Sequence, residues 1–236
     1  MKSKNRFSNI IHFNRDENSY TARLFESYLF PYWHTHKKEF STFVQSLKTA
    51  DSKSQAALSK KFKSNPQQYK LDDSYSFVDG MLFLENLDVY AYCQTNNIAV
   101  NLDSNTIDKT EFDCVIVAED NDQNEILFVF EIKCFTNLKK EEVDRQNKIL
   151  KCFKRAGLYK EFYHFSLISE ENFCRSAIVK DYHTIPLTFL FKYIKEYIKP
   201  TWQRFNFDIE FEKLHCRINK GGHQFKPRKL IDKTCI

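Results

Sequence analysis

Two apolar runs in the middle of the chain each carry charges where an ordinary strand would not. In the run from Ile126 to Cys134, Glu131 and Lys133 are the charged residues, two positions apart, and in the run from Phe112 to Ala118 the lone charge is Asp113. Side chains alternate faces along a strand, so Glu131 and Lys133 point the same way, about 7 Å apart, while Phe130 and Ile132 point into the opposite layer. If the two runs fold on each other, Asp113 returns against Glu131 and a charged trio shares one sheet face. Burying such a trio is costly unless its charges are paired or bind a metal. Two carboxylates beside a lysine make an oxygen-rich site suited to Mg²⁺, a hard ion held by a few carboxylates, waters and substrate phosphate. The lysine can stabilise or deprotonate an attacking water, and the metal can polarise a phosphorus–oxygen bond.

The elements that must position these residues are partly readable. β-Branched and aromatic residues predict strands at Phe112–Ala118 and Ile126–Cys134, joined through the polar turn 119–124 as a hairpin. That turn superficially resembles a calcium loop but lacks its central Gly and distant Glu. A helix is predicted over 139–156: Glu141 and Glu142 enter it, Lys154 and Arg155 leave it, and Gly157 suits a left-handed cap. Its apolar stripe is Val143, Leu150 and Phe153, and Gln146 falls in the same sector, facing inward. A first helix is expected from Asn14, which can cap Glu17, to just before Pro31, with Glu17, Thr21, Leu24 and Tyr28 on one side. Further expectations are a linker-like stretch at Thr49–Asp73, strands at Leu87–Cys93, Phe162–Ile168 and Ser176–Val179, and a helix from Pro186 to about Ile198 started by Thr184 or Ile185. This is an α/β pattern with a central mixed sheet flanked by helices.

Composition bounds the rest. With 236 residues, 42% hydrophobic, 23 Phe and 12 Tyr, the chain can bury a substantial core, and four Gly and five Pro mark no interdomain linker. We expect one domain over 1–236, its core at about 14–180, with a C-terminal helix and basic tail over 184–236. No stretch of about 18 apolar residues exists to span a bilayer, and the first residues are polar, so a cytoplasmic protein is expected, with no membrane partner. The seven cysteines are scattered and never form CxxC, which argues against a disulfide framework or zinc knuckle. Neither His34 and His36 nor His215 has zinc-site spacing. His164, on the strand after the 139–156 helix, is placed where it can neighbour the charged centre, although it reads first as a satisfied structural histidine. Residues 217–236 hold six Lys or Arg against one Asp and so account for the net charge of +5. Lys226, Arg228 and Lys229 in this tail are candidate phosphate contacts, though a charge run also serves simply to solvate a terminus.

Asp113, seventeen intervening residues, then Glu131-Ile132-Lys133 resembles the signature of the PD-(D/E)XK nucleases, found among restriction enzymes, repair nucleases and defence effectors. The resemblance runs from Glu17 to about Ile168 and implies a restriction-endonuclease-like core ordered helix, three strands, helix, strand. It makes Asp113 and Glu131 metal ligands and Lys133 the residue that positions or activates water. Glu17 resembles the acid some members supply from the first helix, although it equally completes a capping box with Asn14. Gln146 resembles a glutamine other members place on the helix after the motif, although an inward Gln also serves buried backbone. Phe112 stands where the name-giving proline would be.

The resemblance implies an Mg²⁺-dependent endonuclease, with Mn²⁺ as a substitute, that cleaves DNA in a bacterial restriction or anti-phage defence system. Richness in Lys, Asn, Ile and Phe with scarce Gly fits an AT-rich bacterial genome. An RNA-cleaving enzyme would use the same metal site, and a nucleic-acid-binding protein could keep the fold without cleaving; loss of one of the trio would be that protein's sign. A homodimer would let one site per subunit cut both strands of a duplex, and partner proteins of a defence system are the remaining expected partners.

Overall fold

The structure is a computed structural model that describes residues 22–62, 69–71, 74–84, 91, 93–95, 97, 110–134, 137–169 and 183–199. Its five-stranded sheet has the order β1-β2-β3-β4-β5, with β1 Ser76–Leu84, β2 Phe112–Glu119, β3 Glu125–Lys133, β4 Glu161–Ile168 and β5 Thr184–Pro186. The first three strands are an antiparallel meander, and β3, β4 and β5 are mutually parallel. The fold is thus α/β with a mixed sheet. Its hairpin turns as the polar cluster predicts: Asp120 Oδ1 accepts from the backbone of Asp122 and Asn124 at 2.9 Å, and Gln123 takes φ 63°. Lys160, 2.7 Å from Asp120, holds that carboxyl down at about 2.

Between β3 and β4 the chain crosses over through α3, Lys140–Arg155. Gly157 ends it at φ +73°, with Leu158 N–H donating to Phe153 O and Gly157 N–H to Lys154 O, a Schellman cap. Hairpin, α3 and β4 therefore lie where the sequence places them, within a residue or two at each end.

The N-terminal helices differ from expectation. The helix passes through Pro31: a π turn, Phe25–Leu29, is followed directly by α1, Phe30–Thr35. Phe30 N–H reaches back five residues to Phe25 O, a local change of register just ahead of the residue that has no N–H to give. Asn14 and Glu17 lie outside the described residues. The stretch 49–62, expected as linker, belongs to α2, Phe40–Phe62. Phe40, Phe43, Val44, Leu47, Asp51, Ser54, Gln55 and Leu58 make its buried stripe. Three polar residues at helical spacing inside that stripe hid the period.

The expected strand at Leu87–Cys93 is also corrected. Ala91 and Cys93–Thr95 are helical, and the strand that pairs with β2 is β1, which lies earlier in the chain. Its register slips between Phe77 and Asp79, which makes Val78 the extra residue of a bulge, and the polar Asp79-Gly80 pair, with Asp79 Oδ1 accepting the Gly80 N–H at 2.8 Å, continues the strand. Gly80 also faces the Phe30 ring closely enough that a Cβ there would overlap it. The C-terminal helix starts later than Pro186: Thr184–Pro186 is β5, and α4 covers Thr188–Tyr193 before a π turn, Ile194–Ile198. Residues 176–179 lie outside the described residues.

Two layers cover the sheet. Phe128, Phe130 and Phe165 on one face pack with Trp33, Phe40 and Phe43 from α1 and α2, and with Tyr193 from α4. Val129, Leu127 and Val115 on the other face pack with Ile149, Leu150 and Phe153 of α3. Among the described residues no helix is long and apolar enough to cross a membrane.

Candidate functional site

Alternation along β3 sends Phe130 and Ile132 into the aromatic layer and turns Glu131 and Lys133 toward α3. The ladder Cys114↔Phe130 carries Asp113 beside Glu131 at the open end of the hairpin. Asp113 Oδ2 accepts the Ile132 N–H at 2.7 Å, which ties the acid to the backbone between Glu131 and Lys133. Glu131 is 2% exposed. The Lys133 ammonium is ion-paired to its Oε1. Gln146 Nε2 donates to its Oε2 at 2.5 Å and to Glu111 O at 2.7 Å. Two acceptors on Nε2 fix the amide orientation, which leaves Gln146 Oε1 buried with no hydrogen-bond partner.

Burial, followed by the charge of Asp113, pushes the Glu131 carboxyl upward against the pull of Lys133. Burial depresses Lys133, but Glu131 and Asp113 outweigh it and raise the ammonium above its ordinary range. The carboxylates therefore sit in a place that rewards positive charge.

Asp113, Glu131, Lys133 and Gln146 are thus brought together as the sequence suggests. Glu17, Lys226, Arg228 and Lys229 lie outside the described residues. Sequence reasoning passed over Glu142, whose Oε1 lies 3.3 Å from Lys133 Nζ. In the sequence it reads only as an acid of the helix's first turn, and its spacing of four from Gln146 is the available signal. Also missed was the buried polar row Glu131–Ser166–Thr184 across β3, β4 and β5.

The donor set is compatible with a hard cation. Among the described residues no group of three or more His, Cys, Asp or Glu side chains is arranged to hold a metal. Mg²⁺, however, is commonly held by one or two carboxylates with waters and phosphate filling the rest. Asp113 and Glu131 supply two, and the Gln146 amide that grips Glu131 through Nε2 leaves its own oxygen buried and unpartnered.

His164 lies on the α3 side of β4, opposite Val129 and two positions from the Glu131 row. Its Nδ1 pairs with Asn147 Oδ1 at 2.8 Å, Tyr69 OH bonds both its backbone groups, and its Nε2 is buried without a partner. Tyr69 stacks on His183, which Asp51 binds at 3.0 Å. Burial, then the charge of His183, lowers His164 from 6.5 to about 3. A depressed folded value means its stabilisation is complete above about 6.5 and is lost as pH falls toward 3, at up to roughly 1.4 kcal/mol per unit. Melts at stepped pH should show wild type losing stability below pH 6.5 relative to His164→Gln, which cannot titrate. Parallel profiles would contradict a buried neutral imidazole.

Comparison with protein-family models, curated proteins and solved structures gives no match for this chain.

Proposed function

We propose that the chain is a metal-dependent nuclease of the PD-(D/E)XK type, with a restriction-endonuclease-like core, that hydrolyses phosphodiester bonds of DNA. The observation that carries this reading is the buried Glu131 carboxylate, gripped by Lys133 on one oxygen and Gln146 on the other with Asp113 alongside. A purely structural sheet face gains little from such a group, since buried ion pairs often do no better than apolar replacements. The order of α1 and α2, three strands, α3 and β4 supports the same reading, as it matches the core the resemblance implies.

In this reading Asp113 and Glu131 hold Mg²⁺ or Mn²⁺, which when bound would polarise the phosphorus–oxygen bond and offset charge on the phosphate. Gln146 fixes the rotamer of Glu131, and α3 fixes Gln146 through its Ile149, Leu150 and Phe153 packing. Lys133 offers a positive N–H donor to the attacking water and to phosphate oxygens on the same face. Water adds to phosphorus, the bridging oxygen leaves and takes up a proton, and no redox partner is needed.

The deciding experiment incubates purified protein with plasmid, single-stranded DNA and RNA, each with Mg²⁺, Mn²⁺ or EDTA. DNA should be cut with either metal and remain intact in EDTA. Cleavage of RNA alone would shift the substrate class. Binding without cleavage under any metal would leave a non-cleaving nucleic-acid-binding protein and end the nuclease reading.

A further inference from the structure

Lys133 is ion-paired to two carboxylates, with the Asp113 charge also acting on it. Glu131 on its own strand is buried, whereas Glu142, in the first turn of α3, is 29% exposed at its side chain and 3.3 Å from the ammonium. The match is geometric. Residues four apart on a helix rise about 6 Å, and residues two apart on a strand about 6.8 Å. Gln146 and Glu142 on α3 therefore stand over Glu131 and Lys133 on β3 as two rungs, amide to acid and acid to lysine. The first rung orients Glu131, and the second has no purpose while Glu131 neutralises Lys133.

It acquires one if Glu131 is a metal ligand, the reading on which this inference rests. Were Glu131 to hold a divalent cation, its Oε1 could no longer neutralise the Lys133 ammonium, which the cation's charge would also repel. With Asp113 and Glu131 both given to the cation, a long, flexible lysine lacking a further carboxylate would swing to solvent. We propose that Glu142 is the positioning residue that retains Lys133 within the site when a divalent cation occupies Glu131. Glu142 touches neither cation nor substrate in this role; it acts through the lysine.

The test reads Lys133 directly. Wild type, Glu142→Gln and Glu142→Asp are treated with an amine-modifying reagent with and without saturating Mg²⁺, and modification of Lys133 is followed by peptide mass spectrometry. Calorimetry measures Mg²⁺ binding on the same samples. In wild type, Mg²⁺ should leave Lys133 about as protected as before. In Glu142→Gln, Mg²⁺ should still bind and modification of Lys133 should rise several-fold, with Glu142→Asp partly restoring protection. Single-turnover cleavage at saturating Mg²⁺ should fall roughly 10- to 100-fold in Glu142→Gln, the scale of a misplaced catalytic group. Equal protection of Lys133 in Glu142→Gln and wild type with Mg²⁺ bound would overturn the role, as would its release by Mg²⁺ in wild type. Absence of Mg²⁺ binding by wild type would instead overturn the metal site itself, and the role with it.

Discussion

Glu131→Gln is expected to bring cleavage down to background while the protein stays folded. The substitution keeps side-chain volume in a position that is 2% exposed, so no cavity opens. Gln146 Nε2 can donate to the new amide oxygen as it does to the carboxylate, while Lys133 loses its acceptor on the other end and keeps Glu142 as its anion. Burial and Asp113 push the native carboxyl upward while Lys133 pulls against them, so a neutral isostere should leave the protein folded. What disappears is half of the carboxylate charge that would hold the cation. If the ion supplies several kcal/mol of charge stabilisation, its loss is worth ~10³-fold or more in rate. Asp113→Asn should do the same. Asp113→Ala differs: it removes the acceptor of the buried Ile132 N–H and should cost about 1–3 kcal/mol of stability in addition. Single-turnover rates at matched Mg²⁺, set beside melts, check both claims; a wild-type rate in Glu131→Gln or Asp113→Asn would remove the site from the enzyme.

The part of the fold that carries this site was legible because its signals are local. Phe112–Ala118 and Ile126–Cys134 are β-rich runs joined by a turn whose own side chains close it, and α3 shows an uninterrupted stripe ended by Gly157. Gln146 could be assigned inward because it shares that stripe with Val143 and Leu150. What stayed hidden depends on partners far along the chain. Asp51 and Gln55 sit in the buried face of α2 and bond each other there, and Asp51 also meets His183, 132 residues away. No window over residues 49–62 contains that partner, so the polar stripe reads as linker. β1 was hidden because Asp79-Gly80, just after the bulge at Val78, carries the composition of a turn while pairing continues through it. The helix through Pro31 depends on a π turn that periodicity near 3.6 cannot anticipate. Glu142 was visible as a residue and not as a contact, because nothing in the sequence tells which strand residue α3 will cross.

Lys133→Met should reduce cleavage by at least ~100-fold at saturating Mg²⁺, the lower end of what a positioned proton-handling or charge-stabilising group supplies. Methionine keeps most of the apolar stem that leaves Lys133 only 12% exposed, so folding should be retained. Without metal, burial works against the ammonium, yet Glu131 and Asp113 together raise it above its ordinary range. Such a lysine holds its proton at neutral pH and suits donation to water or phosphate better than removal of a proton. The metal affinity then distinguishes this role from a structural one. The ammonium competes with any cation for Glu131 Oε1, so its removal should leave Mg²⁺ binding intact or make it tighter while the rate collapses. Calorimetry and single-turnover kinetics on the same variant read the two quantities separately. Weakened Mg²⁺ binding with unchanged turnover at saturation would mean that Lys133 organises the carboxylates rather than acting on the phosphodiester.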